Sequence, residues 1–169
     1  MEELKTDVKL SFKLLEFSIR TMLYAEQEKF DKSIFGQELT LLLKKENVGF
    51  SSNEFQKSEE IIKASQMAVG AAFGATAICL DCLLEKHQSN DTNLEIAKPL
   101  ATAVRNAFSH GIAAPTWYVK PHKFLSVDLS FVSGPTIDLA AVNGQPFDYE
   151  QIGGLAVWLR LKDYVLTNT

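Results

Sequence analysis

The sequence predicts a mainly α chain of the α+β class, a helical bundle with a small three-stranded antiparallel meander inserted before its last helix. Three observations predict it. Apolar residues recur three and four apart along most of the chain, which is the helical period. Between about 116 and 142 the period falls to two. After that the helical period returns and runs to the end. No internal repeat, low-complexity tract or linker interrupts the 169 residues, so one domain with a proper core is expected over 1–169.

The first helix is predicted over 4–30. Leu4, Val8, Phe12, Leu15, Ile19 and Leu23 make its apolar stripe, and Lys5, Lys9, Lys13, Glu16 and Arg20 fall largely off it. A lesser helix is predicted over 37–45, and 47–52 reads as a loop. Ser51-x-x-Glu54 matches a capping box and opens a long helix over 52–86. In that helix Gly70, Gly74, Ile78 and Asp81 share a face, and the small residues invite close approach of another helix. Asp81 needs a partner there, because a lone buried carboxylate is costly. The salt-bridge or capping role is favoured over catalysis. The apolar run 67–80 is too short to span a bilayer and closes at Asp81.

A polar linker over 87–91 leads to a second capping box, Thr92-x-x-Glu95, and a helix over 93–110. Pro99 either kinks this helix or restarts it. Leu100, Ala103, Val104, Ala107 and Phe108 form its buried stripe, and Gly111 is the stop signal. Strands are predicted over 116–120, 123–132 and 136–142. Leu125, Val127, Leu129 and Phe131 alternate with Ser126, Asp128 and Ser130, and Asn143-Gly144 is a tight-turn dipeptide. Asp148-x-x-Gln151 caps the last helix, over 149–166, which carries Ile152, Leu155, Trp158, Leu159, Leu161 and Val165.

Formal net charge is −4, so the surface as a whole does not advertise nucleic-acid binding. The distribution is uneven. Segment 96–127 has no Asp or Glu, but holds Lys98, Arg105, Lys120 and Lys123. A local positive face of this kind can draw a polyanion to one spot. Cys79 and Cys82 have Cys-x-x-Cys spacing inside an apolar helical run, with no further cysteine to complete a metal site. They read as two small buried side chains rather than a redox pair, and free thiols suit a reducing, cytoplasmic compartment. The start, Met1-Glu2-Glu3, does not resemble a signal peptide. No zinc spacing, phosphate loop or dinucleotide fingerprint is present, so neither metal nor cofactor is expected.

The stretch most able to carry chemistry is Arg105-Asn106-Ala107-Phe108-Ser109-His110-Gly111 at a helix end. It pairs a permanent cation with a residue type that titrates near neutral pH, as phosphodiester chemistry requires. Five residues turn a straight helix through about 500°, leaving roughly 140° between the two side chains. They converge only if His110 lies past the last full turn, or across a two-fold dimer. Arg105 and His110 are the candidate catalytic pair, and Asn106 and Ser109 can orient the histidine or touch phosphate oxygens. Trp117 either stacks a base or packs on the bundle. His122, in a turn beside Lys123, either lines an RNA path or is simply exposed.

Arg105-Asn106-x-x-x-His110 resembles the Arg-x(4–6)-His signature of the HEPN superfamily, which often carries Asn directly after the Arg. The stretch Gly111-Ile112-Ala113-Ala114-Pro115-x-Trp117 and the closing Ile152-Gly153-Gly154-Leu155 with Trp158-Leu159-Arg160 resemble a bacterial HEPN-like subgroup. The resemblance implies a dimeric helical bundle and a metal-independent endoribonuclease of toxin–antitoxin or defence systems, with Arg105 and His110 catalytic and Asn106 their polar companion. It also implies possible partners, an antitoxin or another protein besides RNA or a nucleotide. The alternative within the same family is a non-catalytic, dimeric interaction or nucleotide-binding module. The strand insertion departs from the minimal bundle.

Overall fold

The computed structural model describes residues 1–52, 54–88, 90–123 and 125–169. Asn53, Ser89 and Phe124 lie outside the described residues, so parts of the predicted helix over 52–86, the linker over 87–91 and the strand over 123–132 do too. The chain is mainly helical with two small antiparallel sheets. The long helices are α1 (Glu2–Glu26), α3 (Ser58–Lys86), α4 (Thr92–Ser109) and α6 (Gly154–Asn168). The short ones are α2 (Lys32–Phe35) and α5 (Leu139–Val142). The strands are β1 (Leu39–Leu42), β2 (Asn47–Phe50), β3 (Ser126–Asp128) and β4 (Thr136–Asp138). Two compact units divide the chain, residues 16–69 and residues 1–15 with 70–169.

In the unit over 16–69 the helix predicted over 37–45 is absent. Its leucines form β1, which pairs with β2 in the register Leu39↔Phe50 to Leu42↔Asn47. Leucine favours helices, but the seven residues between Gly36 and the Lys44-Lys45 turn make a marginal helix, and pairing with β2 wins. The long helix begins at Ser58, not at the Ser51 box. Phe55 holds a left-handed backbone (φ 58°) that interrupts a helix there, and the Glu60 carboxylate accepts the Lys57 N–H at 3.2 Å instead.

In the other unit α3, α4 and α6 enclose the core, with Val8, Phe12 and Leu15 of α1. Phe73, Leu80, Leu84, Leu100, Val104, Trp158 and Leu161 are all buried. Phe73 is the hub of an aromatic cluster, with ring centroids 4.8–5.8 Å from those of Phe108, Phe147, Tyr149 and Trp158. The Trp158 indole donates to the Thr76 hydroxyl at 2.8 Å, so its polar tip is satisfied inside. Gly74 gives α4 its close approach to α3: a Cβ there would lie 3.0 Å from Phe108 Cβ. Ile78, expected on the same face, is exposed instead, and Asp81 shares the face with Gly74.

The cap of α4 is Asp91 rather than Thr92. Its carboxylate accepts from the amides of Asn93 and Leu94 and from the Tyr164 hydroxyl at 2.8 Å, joining the start of α4 to α6. Pro99 sits inside a continuous α4. The meander is two-stranded, not three-stranded: β3 pairs with β4, and the segment over 116–120 makes an isolated bridge from Thr116 to Pro146. Aspartates shorten both strands. Asp128 accepts from the Ser130 N–H and starts a 3-10 turn over Ser130–Val132, and Asp138 caps α5 through the Ala140 and Ala141 amides. Asn143-Gly144 forms a type II turn, with φ −57° and +80°, so it follows α5 rather than closing a hairpin.

The Asp148-x-x-Gln151 box is present, but it caps a 3-10 turn over Tyr149–Ile152. Gly153 (φ 83°) then turns the chain into α6. One helix among the described residues, α3, is long and apolar enough to cross a membrane, which the apolar run 67–80 alone did not suggest. Half of that window is buried within the protein.

Candidate functional site

Helix α4 ends at Ser109, and His110 is its C-cap residue (φ −96°, ψ −11°). The histidine lies one residue past the last helical position, with its backbone still near the right-handed α region. Gly111 follows without a left-handed backbone. Arg105, Asn106 and His110 all line one cleft of about 400 Å³. Thr102 and Pro99 of α4 line it too, with Glu85 of α3 and Tyr118, Lys120, His122 and Lys123 of the following loop.

Arg105 is anchored rather than free. One Nη1 hydrogen bonds and ion-pairs to Asp81 on α3. Nε and Nη2 donate to Asn106 Oδ1 at 3.3 and 3.1 Å. The Asp81 side chain is 1 % exposed and that of Arg105 33 %. A guanidinium has five N–H donors, so two remain after these three bonds. Asp81 is satisfied on its other oxygen by the Thr102 hydroxyl at 2.5 Å. Burial pushes the Asp81 carboxyl above its ordinary range; the Thr102 hydroxyl and Arg105 pull it back, and the charge of Glu85 adds to the rise. The partner that the apolar surroundings of Asp81 demanded is thus Arg105 itself, in agreement with a salt-bridge role.

His110 is exposed, with its ring 5.1 Å from that of Tyr118. Asn106 orients Arg105 through its oxygen and donates Nδ2 to the Tyr118 carbonyl at 3.4 Å, so one side chain ties the helix to the loop. Ser109 does not line the cleft; its hydroxyl donates to the Asn106 carbonyl at 2.9 Å. Trp117 is not available to a base. It is 1 % exposed, stacks near Phe147 at 5.0 Å, and donates its indole N–H to Gln151 Oε1 at 2.7 Å. The same oxygen accepts the Asp148 N–H at 2.8 Å, so the capping glutamine also anchors the tryptophan.

Sequence reasoning singled out Lys120, His122 and Lys123 of the loop but missed Tyr118. Trp117 and Val119 point inward while Tyr118 and Lys120 are exposed, the period-two signature of an extended segment. That alternation makes Tyr118, not Trp117, the aromatic residue at the cleft. Among the described residues, Lys120 and Lys123 have no ion-pair partner, whereas Lys98 is paired with Glu95 and Arg105 with Asp81. No group of three or more metal-ligating side chains occurs among the described residues. Compared with known proteins, the chain matches no family model, no curated protein and no solved structure.

Proposed function

We propose that the cleft is an RNA site and that the protein is a cytoplasmic, HEPN-like, metal-independent endoribonuclease, acting as a homodimer in defence. The observation that carries this reading is the meeting of Arg105, Asn106 and His110 in one cleft beside a cationic loop. In the implied reaction the ribose 2′-oxygen attacks the adjacent phosphorus as its proton is removed. The bond to the 5′-oxygen breaks as that oxygen is protonated, leaving a 2′,3′-cyclic phosphate and a 5′-hydroxyl. His110 carries one proton transfer, and either His122 of the same cleft or His110 of a second copy carries the other. The two remaining donors of Arg105 hold the phosphoryl oxygens, and its anchoring by Asp81 and Asn106 pre-orients them. The nucleophile belongs to the substrate, so the chemistry needs only positioned proton carriers and charge stabilisation.

The pairing of Arg105 with Asp81 favours a second reading, a nucleotide-binding module without catalysis. A single assay separates the two. Wild-type protein incubated with single-stranded RNA in excess EDTA is expected to yield cyclic-phosphate ends, and His110→Gln is expected to lower the rate by about 10²-fold or more. Binding without cleavage selects the second reading, and cleavage that His110→Gln leaves intact ends the first.

A further inference from the structure

Resting on the reading of the cleft as an RNA site, we infer that Lys120 and Lys123 form a second phosphate subsite there. The ligand is then an RNA strand with at least two consecutive phosphodiesters, not a mononucleotide. Charge placement is the first argument. The Arg105 charge is offset by Asp81, so the α4 wall offers hydrogen-bond donors but little net charge. Lys120 and Lys123 are unpaired among the described residues, and Glu85 is the one carboxylate lining the cleft with them. A single phosphate on Arg105 would leave two ammonium groups sharing the cleft with one carboxylate, Glu85.

Rigidity is the second argument. The segment carrying the lysines is pinned from behind. The Trp117 N–H donates to the Gln145 carbonyl and the Trp117 carbonyl accepts from Gly144, both at 2.9 Å. The Val119 N–H donates to Asn143 Oδ1 at 2.8 Å. Tyr118 and Lys120 therefore sit beside fixed backbone, Lys123 is tied to Lys120 by its N–H donating to the Lys120 carbonyl at 2.7 Å, and less order is lost when they meet a ligand. Size is the third. At about 400 Å³ the cleft is far larger than a phosphate group alone, and it falls within the few-hundred-Å³ range of small-ligand sites. Tyr118, half exposed between the α4 donors and the lysines in the chain, offers a face for a base.

The test is anisotropy of an end-labelled 2′-O-methyl-uridine 12-mer, which cannot be cleaved, titrated in EDTA over a series of salt concentrations. Uridine 3′-monophosphate, measured by calorimetry, is the one-phosphate control. Lys120→Ala/Lys123→Ala is expected to reduce the slope of log affinity against log salt by about 0.7, the value for one single-strand phosphate contact. It should weaken the 12-mer about tenfold or more while the mononucleotide changes by less than about threefold. Both lysines are exposed, so an unchanged melting curve verifies the fold. An unchanged slope, or equal weakening of both ligands, overturns the second subsite and leaves the RNA reading standing. A wild-type protein that binds no 12-mer overturns both. A 12-mer bound with the expected slope supports the subsite even if natural RNA is not cut.

Discussion

At the scale of single residues, Arg105 and Asp81 are unequal partners. Removing Arg105 strands a carboxylate that is 1 % exposed, whereas removing the Asp81 charge leaves a guanidinium that already reaches solvent. Arg105→Ala is therefore expected to cost about 3 kcal/mol in chemical denaturation, and Asp81→Asn clearly less. Loss of activity in Arg105→Ala alone would then confuse folding with chemistry; His110, exposed at the helix end, is the cleaner probe. His110→Gln is expected to change stability by no more than about 0.5 kcal/mol. The raised Asp81 carboxyl also sets a pH signature. Its neutral form is favoured in the folded chain, so its stabilising contribution is full at pH below the ordinary carboxyl range and lost as pH climbs through the raised value. Denaturation curves across the acid range should show wild type losing stability relative to Asp81→Asn as pH rises. Parallel curves would refute the shift. Asp81 itself was conspicuous in the sequence as an acid on an apolar helix, and Arg105 was a candidate partner, but spacing does not fix a pairing across 24 residues.

At the scale of elements, local hydrogen-bonding chemistry was legible and strand pairing was not. The Asp148-x-x-Gln151 box forms where its spacing places it, because both of its bonds lie within four residues. The second role of Gln151, holding Trp117, spans 34 residues and left no trace in the spacing. Gln151→Ala is expected to cost about 1–3 kcal/mol, since it leaves a buried indole N–H and a backbone amide unpaired. It should also quench the order of the loop, read as faster amide exchange at Val119. Gly153 is a second test. With φ 83° and a Cβ position 2.5 Å from Val157 Cγ2, it admits no side chain without movement. Gly153→Ala should cost about 1–2 kcal/mol from backbone handedness alone, and more from the clash. The hairpin over 39–50 was misread because leucines carry helix propensity and no local signal outweighed it; pairing with Val48 and Phe50 did.

At the scale of the whole molecule, several large apolar side chains reach solvent. Leu10 and Leu14, one turn apart on α1, are 56 % and 49 % exposed. Around the hairpin, Ile34, Leu41, Leu42 and Phe50 are exposed as well. Within the unit over 1–15 and 70–169, the Leu10 and Leu14 pair on α1 is the candidate association surface. Sedimentation at micromolar concentration is expected to show a dimer, and Leu10→Glu/Leu14→Glu to shift it toward monomer. A wild-type monomer would remove the second copy's His110 from the mechanism and leave His122 as its partner.

Helix content, the stripe of α4, and the joint position of Arg105, Asn106 and His110 at a helix end were readable from the chain alone, whereas in α6 Leu159 is exposed and Val157 takes a buried place the pattern did not give it. Each depends on residues within one or two turns of one another, where covalent geometry dictates who meets whom. Folding in three dimensions added what spacing cannot carry: Asp81 beneath Arg105, Trp117 turned inward onto Gln151, and two lysines brought to the cleft. Those depend on contacts between distant segments, which close only when burial of the common core brings the segments together.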